Sequence, residues 1–143
     1  MNHTILLSIA IPTFNRAIYL KDSLIQIQTE LQNIPQGLVE VYVSDNASTD
    51  QTKEVVTSAQ QNGLLLRYAH NDENIGSDAN IAQCFNEALG KYVMIMGDDD
   101  LFVDGALAEL VSHLQAFSYG LVCLKSYGFE SDFRAELPPS TGD

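Results

Sequence analysis

The densest chemistry in this chain is Gly97-Asp98-Asp99-Asp100, three consecutive carboxylates that close an apolar run, Lys91 to Met96. Neighbouring carboxylates repel one another unless the site is wet or a cation is present. Hard divalent cations such as Mn2+ and Mg2+ take oxygen ligands, commonly one or two carboxylates plus the phosphates of a substrate. The competing reading is a solvated acidic turn before the next helix. A calcium EF-hand loop is excluded, because Phe102 occupies a required ligand position and the spacing to Gly105 fails.

Three further polar clusters follow apolar runs. In Pro12-Thr13-Phe14-Asn15-Arg16, Pro12 turns the chain and Asn15 is placed to cap a following helix. A helix N-terminus with its unpaired N–H groups and partial positive charge suits a phosphate or a base edge. Arg16 adds a cation there, and Phe14 is placed to flank a base; a plain strand–helix connection is the alternative. Asp45 ends its run as a carboxylate able to accept hydrogen bonds from a base or ribose, or to close an Asx-turn. Ser48 with Gln51 reads as a capping box. The loop His70 to Asp78 contains Gly76, which permits close backbone approach. It also reads as a solvated loop capped by Ser77 or Asp78.

The elements that must position these clusters alternate along the chain. Short apolar or β-rich runs at Ile5–Ile11, Leu38–Ser44, Leu64–Ala69, Lys91–Met96 and Leu121–Leu124 read as strands. Helical spacing covers Ala17–Gln32, Asp50–Gln61, Asp78–Leu89 and Asp104–Phe117. The third helix is expected to bury Ile81, Phe85, Ala88 and Leu89, and the fourth Leu107, Leu110, Val111 and Leu114. This βαβαβαβαβ order predicts an α/β sandwich, a mostly parallel sheet with helices on both faces. Ligands of such sheets bind beyond the carboxyl ends of the strands, where all four clusters fall. Glu136 to Asp143 reads as an unstructured exit, since Pro138-Pro139 cannot continue a helix.

The length of 143 residues, at about 150 per domain, predicts one domain. Apolar residues make up 45% and charged residues 18%, enough for one real core. Seven Lys and Arg stand against 19 Asp and Glu, a formal net charge of -12. So acidic a chain is a poor partner for nucleic acid or an anionic membrane surface. Cys84 and Cys123 form no metal or disulfide pattern and read as buried reduced thiols of a cytosolic protein. No apolar run reaches the roughly 18 residues of a spanning helix. Neither G-x-G-x-x-G, G-K-[ST] nor G-x-S-x-G occurs, which disfavours NAD-binding, P-loop and serine hydrolase chemistry. A phospho-acceptor signalling domain is weakened, because no acidic pair follows the first strand.

The ordered set Ile11-Pro12-Thr13-Phe14-Asn15-Arg16, Asp45-Asn46-Ala47-Ser48-Thr49-Asp50, Asn74-Ile75-Gly76 and Gly97-Asp98-Asp99-Asp100 resembles the family 2 glycosyltransferases of GT-A fold. Asn80 and Leu101 make it most similar to the abequosyltransferase-type branch, whose members build O-antigen or other surface polysaccharide. The resemblance implies a Rossmann-like GT-A domain over residues 1–128, with 129–143 a tail or the start of an acceptor half. It implies that Pro12, Thr13, Phe14, Asn15 and Arg16 contact the nucleotide, that Asp45 binds the base, and that Asn74 and Gly76 lie against the nucleoside. The acidic cluster matches the D-x-D motif, which touches the ribose and holds Mn2+ or Mg2+ on the donor diphosphate. One alignment puts the first acidic position on Gly97 and leaves Asp99 as metal ligand; a literal reading pairs Asp98 with Asp100.

The activity implied is inverting, metal-dependent transfer from a nucleoside-diphosphate sugar to a saccharide or lipid-linked acceptor. A lipid-linked acceptor would bring the protein to the inner face of a membrane. Inverting transfer needs a general base, which the family places beyond the D-x-D strand. Here only Glu130, Asp132, Glu136 and Asp143 follow the predicted fifth strand, none in a recognisable context. The expectation is therefore a donor-binding half, lacking base and acceptor site and open to self-association through its sheet edge and helix faces. A non-catalytic nucleotide-sugar-binding module is the alternative.

Overall fold

The computed structural model describes residues 5–130 and 132–136. The elements are β1 (Leu7–Thr13), α1 (Ala17–Leu31), β2 (Val39–Asp45), α2 (Thr52–Gln61), β3 (Leu66–His70), α3 (Ser77–Glu87), β4 (Tyr92–Ile95), α4 (Ala106–Ala116) and a single turn, α5 (Phe133–Glu136). The four strands form one parallel sheet in the order β3-β2-β1-β4. The chain runs outward from β1 to β3, then returns to place β4 on the other side of β1. The topological switch point therefore lies between β1 and β4, where an open α/β sheet offers its crevice. Register aligns Thr13 with Asp45 and Asp45 with His70, so three strand ends share one edge.

Strand alternation divides the chain between two very different faces. Leu7, Ile9 and Ile11 of β1 and Val41 and Val43 of β2 pack against Leu20, Leu24 and Ile27 of α1, Val56 of α2, and Leu107, Val111 and Leu114 of α4. Each fully buried aliphatic side chain in this layer contributes about 2 kcal/mol. The opposite face carries Ser8, Ala10, Glu40, Tyr42 and Ser44 and is covered by α3. That face is small and polar, and α3 meets it with Asn80 and Cys84. The expected inward stripe of α3 is corrected accordingly. Ile81, Phe85 and Leu89 are exposed, because the sheet beneath them offers hydroxyls and charges rather than aliphatic grooves. The helix also ends at Glu87, with Ala88 extended at φ −64°, ψ 140°.

A buried polar knot ties α3 to the sheet. Glu40 accepts from Ser8 Oγ at 2.7 Å, from Leu89 N–H at 3.0 Å and from Arg67 Nε at 2.7 Å. Burial alone would push the Glu40 carboxyl up, but these donors outweigh it and hold it below the usual range. Arg67 also donates to Glu87 C=O at 2.6 Å and lies 4.5 Å over the Tyr42 ring. Gly90 passes so close to β1 that a Cβ there would stand 2.7 Å from Ser8 N, so only glycine fits.

The predicted fifth strand does not form. Leu121–Leu124 joins no strand pairing and β4 is the sheet edge. The segment lines an apolar cleft with Val93, Met94, Phe102 and Leu110, and Leu121 is 81% exposed. Apolar composition alone does not make a strand without a ladder partner in register. Cys123 is exposed rather than buried, whereas Cys84 is fully enclosed and its thiol is pushed up to about 11 by burial. Residues 133–136, expected as part of a tail, form the α5 turn, and the exit expected beyond Glu136 lies outside the described residues. Among the described residues no helix is long and apolar enough to cross a membrane.

Candidate functional site

Three loops meet at the carboxyl edge of the sheet, and each is locked by side chains of the others. Asn15 stands at φ 53°, a left-handed conformation that Asn tolerates. Its N–H donates to Ser48 Oγ at 2.8 Å, and its Oδ1 accepts from Thr49 N–H at 2.8 Å. Asp50 accepts from Ala17 N–H at 3.0 Å through one oxygen, and from Thr52 N–H and Oγ1 at 3.0 and 2.6 Å through the other. One carboxylate thus serves the starts of α1 and α2. Burial opposes its charge, yet these donors hold the Asp50 carboxyl below its ordinary value.

This geometry corrects three expectations. Arg16, not Asn15, is the N-cap residue of α1. Ser48 and Gln51 form no capping box, because Asp50 satisfies the α2 start and Ser48 Oγ is turned to Asn15. The first N–H of α1 is occupied by Asp50, so it is not free for an anion.

Asp45 is completely buried. Its Oδ1 accepts from Ser48 N–H at 2.9 Å, and its Oδ2 accepts from Tyr68 Oη at 2.6 Å, with His70 Nε2 at 3.9 Å. Burial, then the Asp45 hydrogen bond and charge, push the Tyr68 phenol well above its ordinary range, so it stays a donor. Each carboxylate oxygen carries two lone pairs, which leaves Asp45 able to accept one more donor on Oδ2.

Asn46 is the organiser of the third loop and was not singled out from sequence. It donates to Asn74 Oδ1 at 2.9 Å and Gly76 C=O at 3.2 Å, and accepts from Ile75 N–H at 2.9 Å and Asn71 Nδ2 at 3.2 Å. Asn80, buried beneath, pairs with Ser44 through both its amide atoms. Gly76 at φ 88°, ψ 156° occupies a region essentially restricted to glycine. A Cβ there would meet nothing within 4 Å, so its dihedral rather than close approach requires glycine.

At the switch point, Asp98 turns inward and is 5% exposed. It accepts from Thr13 Oγ1 at 2.8 Å and from Arg16 Nε at 2.7 Å. Asp99 is exposed and accepts from Arg16 Nη2 at 2.5 Å. Asp100 folds back onto Gly97 N–H at 3.0 Å. The hydrogen bond that Arg16 donates to Asp98, with the neighbouring negative charges, raises the guanidinium above its ordinary value. The three carboxylates do not converge: among the described residues no group of three or more His, Cys, Asp or Glu is placed to hold a metal. Of the first loop, Thr13 is buried, Pro12 is half-buried in β1, and Phe14 stands exposed at the rim.

The backbone of the acidic loop is held by one helix. Ser23 Oγ lies 2.8 Å from Asp98 C=O and 3.0 Å from Asp100 C=O. Gln26 pairs with Phe102 in both directions, and Glu30 accepts from Gly105 N–H at 2.9 Å and Leu107 N–H at 3.1 Å, capping α4. Sequence reading missed these three. Their spacing of three and four residues along the apolar stripe of α1, placing polar atoms where burial was predicted, is the signal that marks them.

The sheet order and its loop-lined switch point are those of an open, doubly wound α/β sheet, and its likeness to solved glycosyltransferase structures makes it the GT-A fold. The sequence profile of glycosyl transferase family 2 matches residues 8–141, and the chain belongs to that family. It is 35% identical over 113 residues to abequosyltransferase RfbV of Salmonella typhimurium, covering 78% of this chain and 33% of that protein. It is 34% identical over 106 residues to the GalNAc(5)-diNAcBac-PP-undecaprenol beta-1,3-glucosyltransferase of Campylobacter jejuni, covering 73% and 33%. The chain thus spans about a third of the length of these relatives. Among solved structures, mannosyltransferase PcManGT of Pyrobaculum calidifontis, in complex with GDP-Man and Mn2+, superposes with a TM-score of 0.69 at 26% identity, over 84% of this chain and 35% of that one. S. aureus TarS 1-349 in complex with UDP-GlcNAc superposes with a TM-score of 0.67 at 25% identity, over 78% and 32%.

Proposed function

We propose that this chain forms the donor-binding part of an inverting, metal-dependent glycosyltransferase. The donor is a nucleoside-diphosphate sugar, and the acceptor a saccharide or lipid-linked saccharide of cell-surface polysaccharide synthesis. The observation that carries this reading is the meeting of the Arg16–Asp98–Asp99 cluster with the Asp45 and Asn46 loops along one sheet edge. One end pairs the Arg16 guanidinium with carboxylates that suit a divalent cation beside a diphosphate, and the other offers hydrogen bonds to a nucleoside. The structural relatives bound to GDP-Man with Mn2+ and to UDP-GlcNAc support the same assignment.

The residues fit a hard divalent cation that arrives with its substrate rather than one caged by protein alone. Asp98 is committed to Thr13 and Arg16, and Asp100 to Gly97. Asp99, exposed and carboxylate-bearing, is the ligand we assign, with Asp98 and Asp100 framing it; Mn2+ and Mg2+ accept one or two such carboxylates beside phosphate oxygens. When bound, the metal supplies charge stabilisation to the departing diphosphate. Arg16 adds a second cation to that leaving group. Asp45 offers Oδ2 to a base N–H, and a base reaching it displaces the His70 ring. Asn74, Ile75 and Gly76, fixed by Asn46, form the wall on which the nucleoside rests, and Phe14 flanks the base. Asp104 accepts from Arg134 Nε and Nη2 at 2.8 and 2.7 Å, which leaves it unsuited to proton abstraction from an acceptor. A lipid-linked acceptor would bring the protein to the inner face of a membrane.

The test is thermal unfolding with UDP, CDP, GDP and dTDP, each with and without Mn2+. A ligand binding only the native state adds about 2.7 kcal/mol at a hundredfold excess over its dissociation constant. A base-selective shift that grows with Mn2+ is expected. Flat curves from a cooperatively folding sample overturn the donor site. Binding without turnover by the complete gene product favours a non-catalytic binding module instead.

A further inference from the structure

We infer that Arg16 couples metal binding to diphosphate binding: its guanidinium is the resident cation of Asp98 and Asp99, and a diphosphate draws it off Asp99 to admit the metal. The inference rests on the nucleotide-sugar reading above and adds to it the order of events at the acidic cluster. The two arms of Arg16 differ in kind. Nε is anchored at 2.7 Å to Asp98, whose other oxygen holds Thr13 and which is 5% exposed. Nη2 reaches Asp99, whose side chain is 54% exposed. The guanidinium lies 4.5 Å over the Tyr19 ring, which keeps it beside the cluster when one arm is released.

Arg16 holds Asp99 through Oδ2, and a metal ion on either oxygen of that carboxylate would stand close enough to the guanidinium for the two cations to repel each other. Metal alone must therefore compete with Arg16, and binds weakly. A diphosphate alone meets Arg16 already neutralised by two carboxylates. When both arrive, the fork of Arg16 turns its outer arm to phosphate oxygens and Asp99 is freed for the metal. Each ligand then strengthens the other by the same factor, as linkage requires.

The experiment is calorimetric and electron-spin-resonance titration of Mn2+, alone and with inorganic pyrophosphate, into the wild-type protein, Arg16→Ala and Arg16→Lys. Arg16→Ala should bind Mn2+ alone about tenfold more tightly than wild type, and lose most of the gain pyrophosphate confers; coupling factors of about 5–150 are typical. Arg16→Lys, which keeps the charge without the fork, should fall between and also controls for folding. Mn2+ affinity unchanged or weaker in both variants, with the pyrophosphate gain intact, overturns the inference and leaves the donor site standing. Asp99→Ala indistinguishable from wild type in every titration overturns the donor-site reading as well.

Discussion

The side-chain amide of Gln26 pairs with the backbone of Phe102 in both directions, Nε2 donating to C=O at 2.8 Å and Oε1 accepting from N–H at 3.0 Å. A buried side chain thus supplies what a neighbouring strand would have supplied. Gln26→Leu removes both bonds and strands two buried backbone groups, at a cost of about 3 kcal/mol. Urea unfolding measures the loss. The Mn2+-dependent part of nucleotide binding should fall more than the metal-independent part, because the loop released is the one that carries Asp99.

Asp99→Ala removes an exposed carboxylate with one protein partner, so the fold should be disturbed by no more than about 0.5 kcal/mol. Metal-dependent nucleotide binding should vanish. Asp45→Asn, in contrast, should weaken base recognition with or without metal. Titration of both variants with a nucleoside diphosphate, with and without Mn2+, separates the two roles. Equal loss in both conditions for Asp99→Ala contradicts its assignment.

Tyr68→Phe deletes the phenol that donates to Asp45 and keeps the ring. The buried carboxylate loses its donor on Oδ2, which should destabilise the protein by about 2 kcal/mol. Selectivity among nucleotide bases should blunt, since the orientation of Asp45 is set by that bond. Thermal shifts across the four diphosphates report both effects.

Much of this architecture was legible in the residues, and the failures have a common cause. Strand–helix alternation, strand ends and the four polar clusters follow from local pattern, and the loops of Asp45, Asn74 and Asp98 do meet at one edge. Which face of α3 is buried was not legible. It depends on Ser8, Glu40 and Ser44 sharing a sheet face with Ala10 and Tyr42, a consequence of strand register. Leu121–Leu124 has strand composition but no ladder to join. Asp50 took the cap that Ser48 was expected to provide because it reaches both Ala17 and Thr52, a contact between two loops that no single window contains.

Glu40 sets an acid limit on stability. Its folded pKa lies below its ordinary value of 4.5, so its contribution is complete above that value and is lost as pH falls through the folded pKa. Glu40→Gln should cost about 2 kcal/mol near neutrality, since Arg67, Ser8 and Leu89 N–H lose a charged acceptor. The gap between wild type and variant should narrow steadily below pH 4.5. A gap that stays constant down to pH 3 contradicts the assignment.

The double service of Asp50 has a consequence for exchanging specificity between relatives. Its carboxylate, with the reciprocal Asn15–Ser48 and Thr49–Asn15 bonds, makes residues 13–17 and 45–52 a single cassette. Transplanting either stretch alone would import a lock without its key. A chimera should inherit the nucleotide preference of its donor parent only when both stretches are moved together.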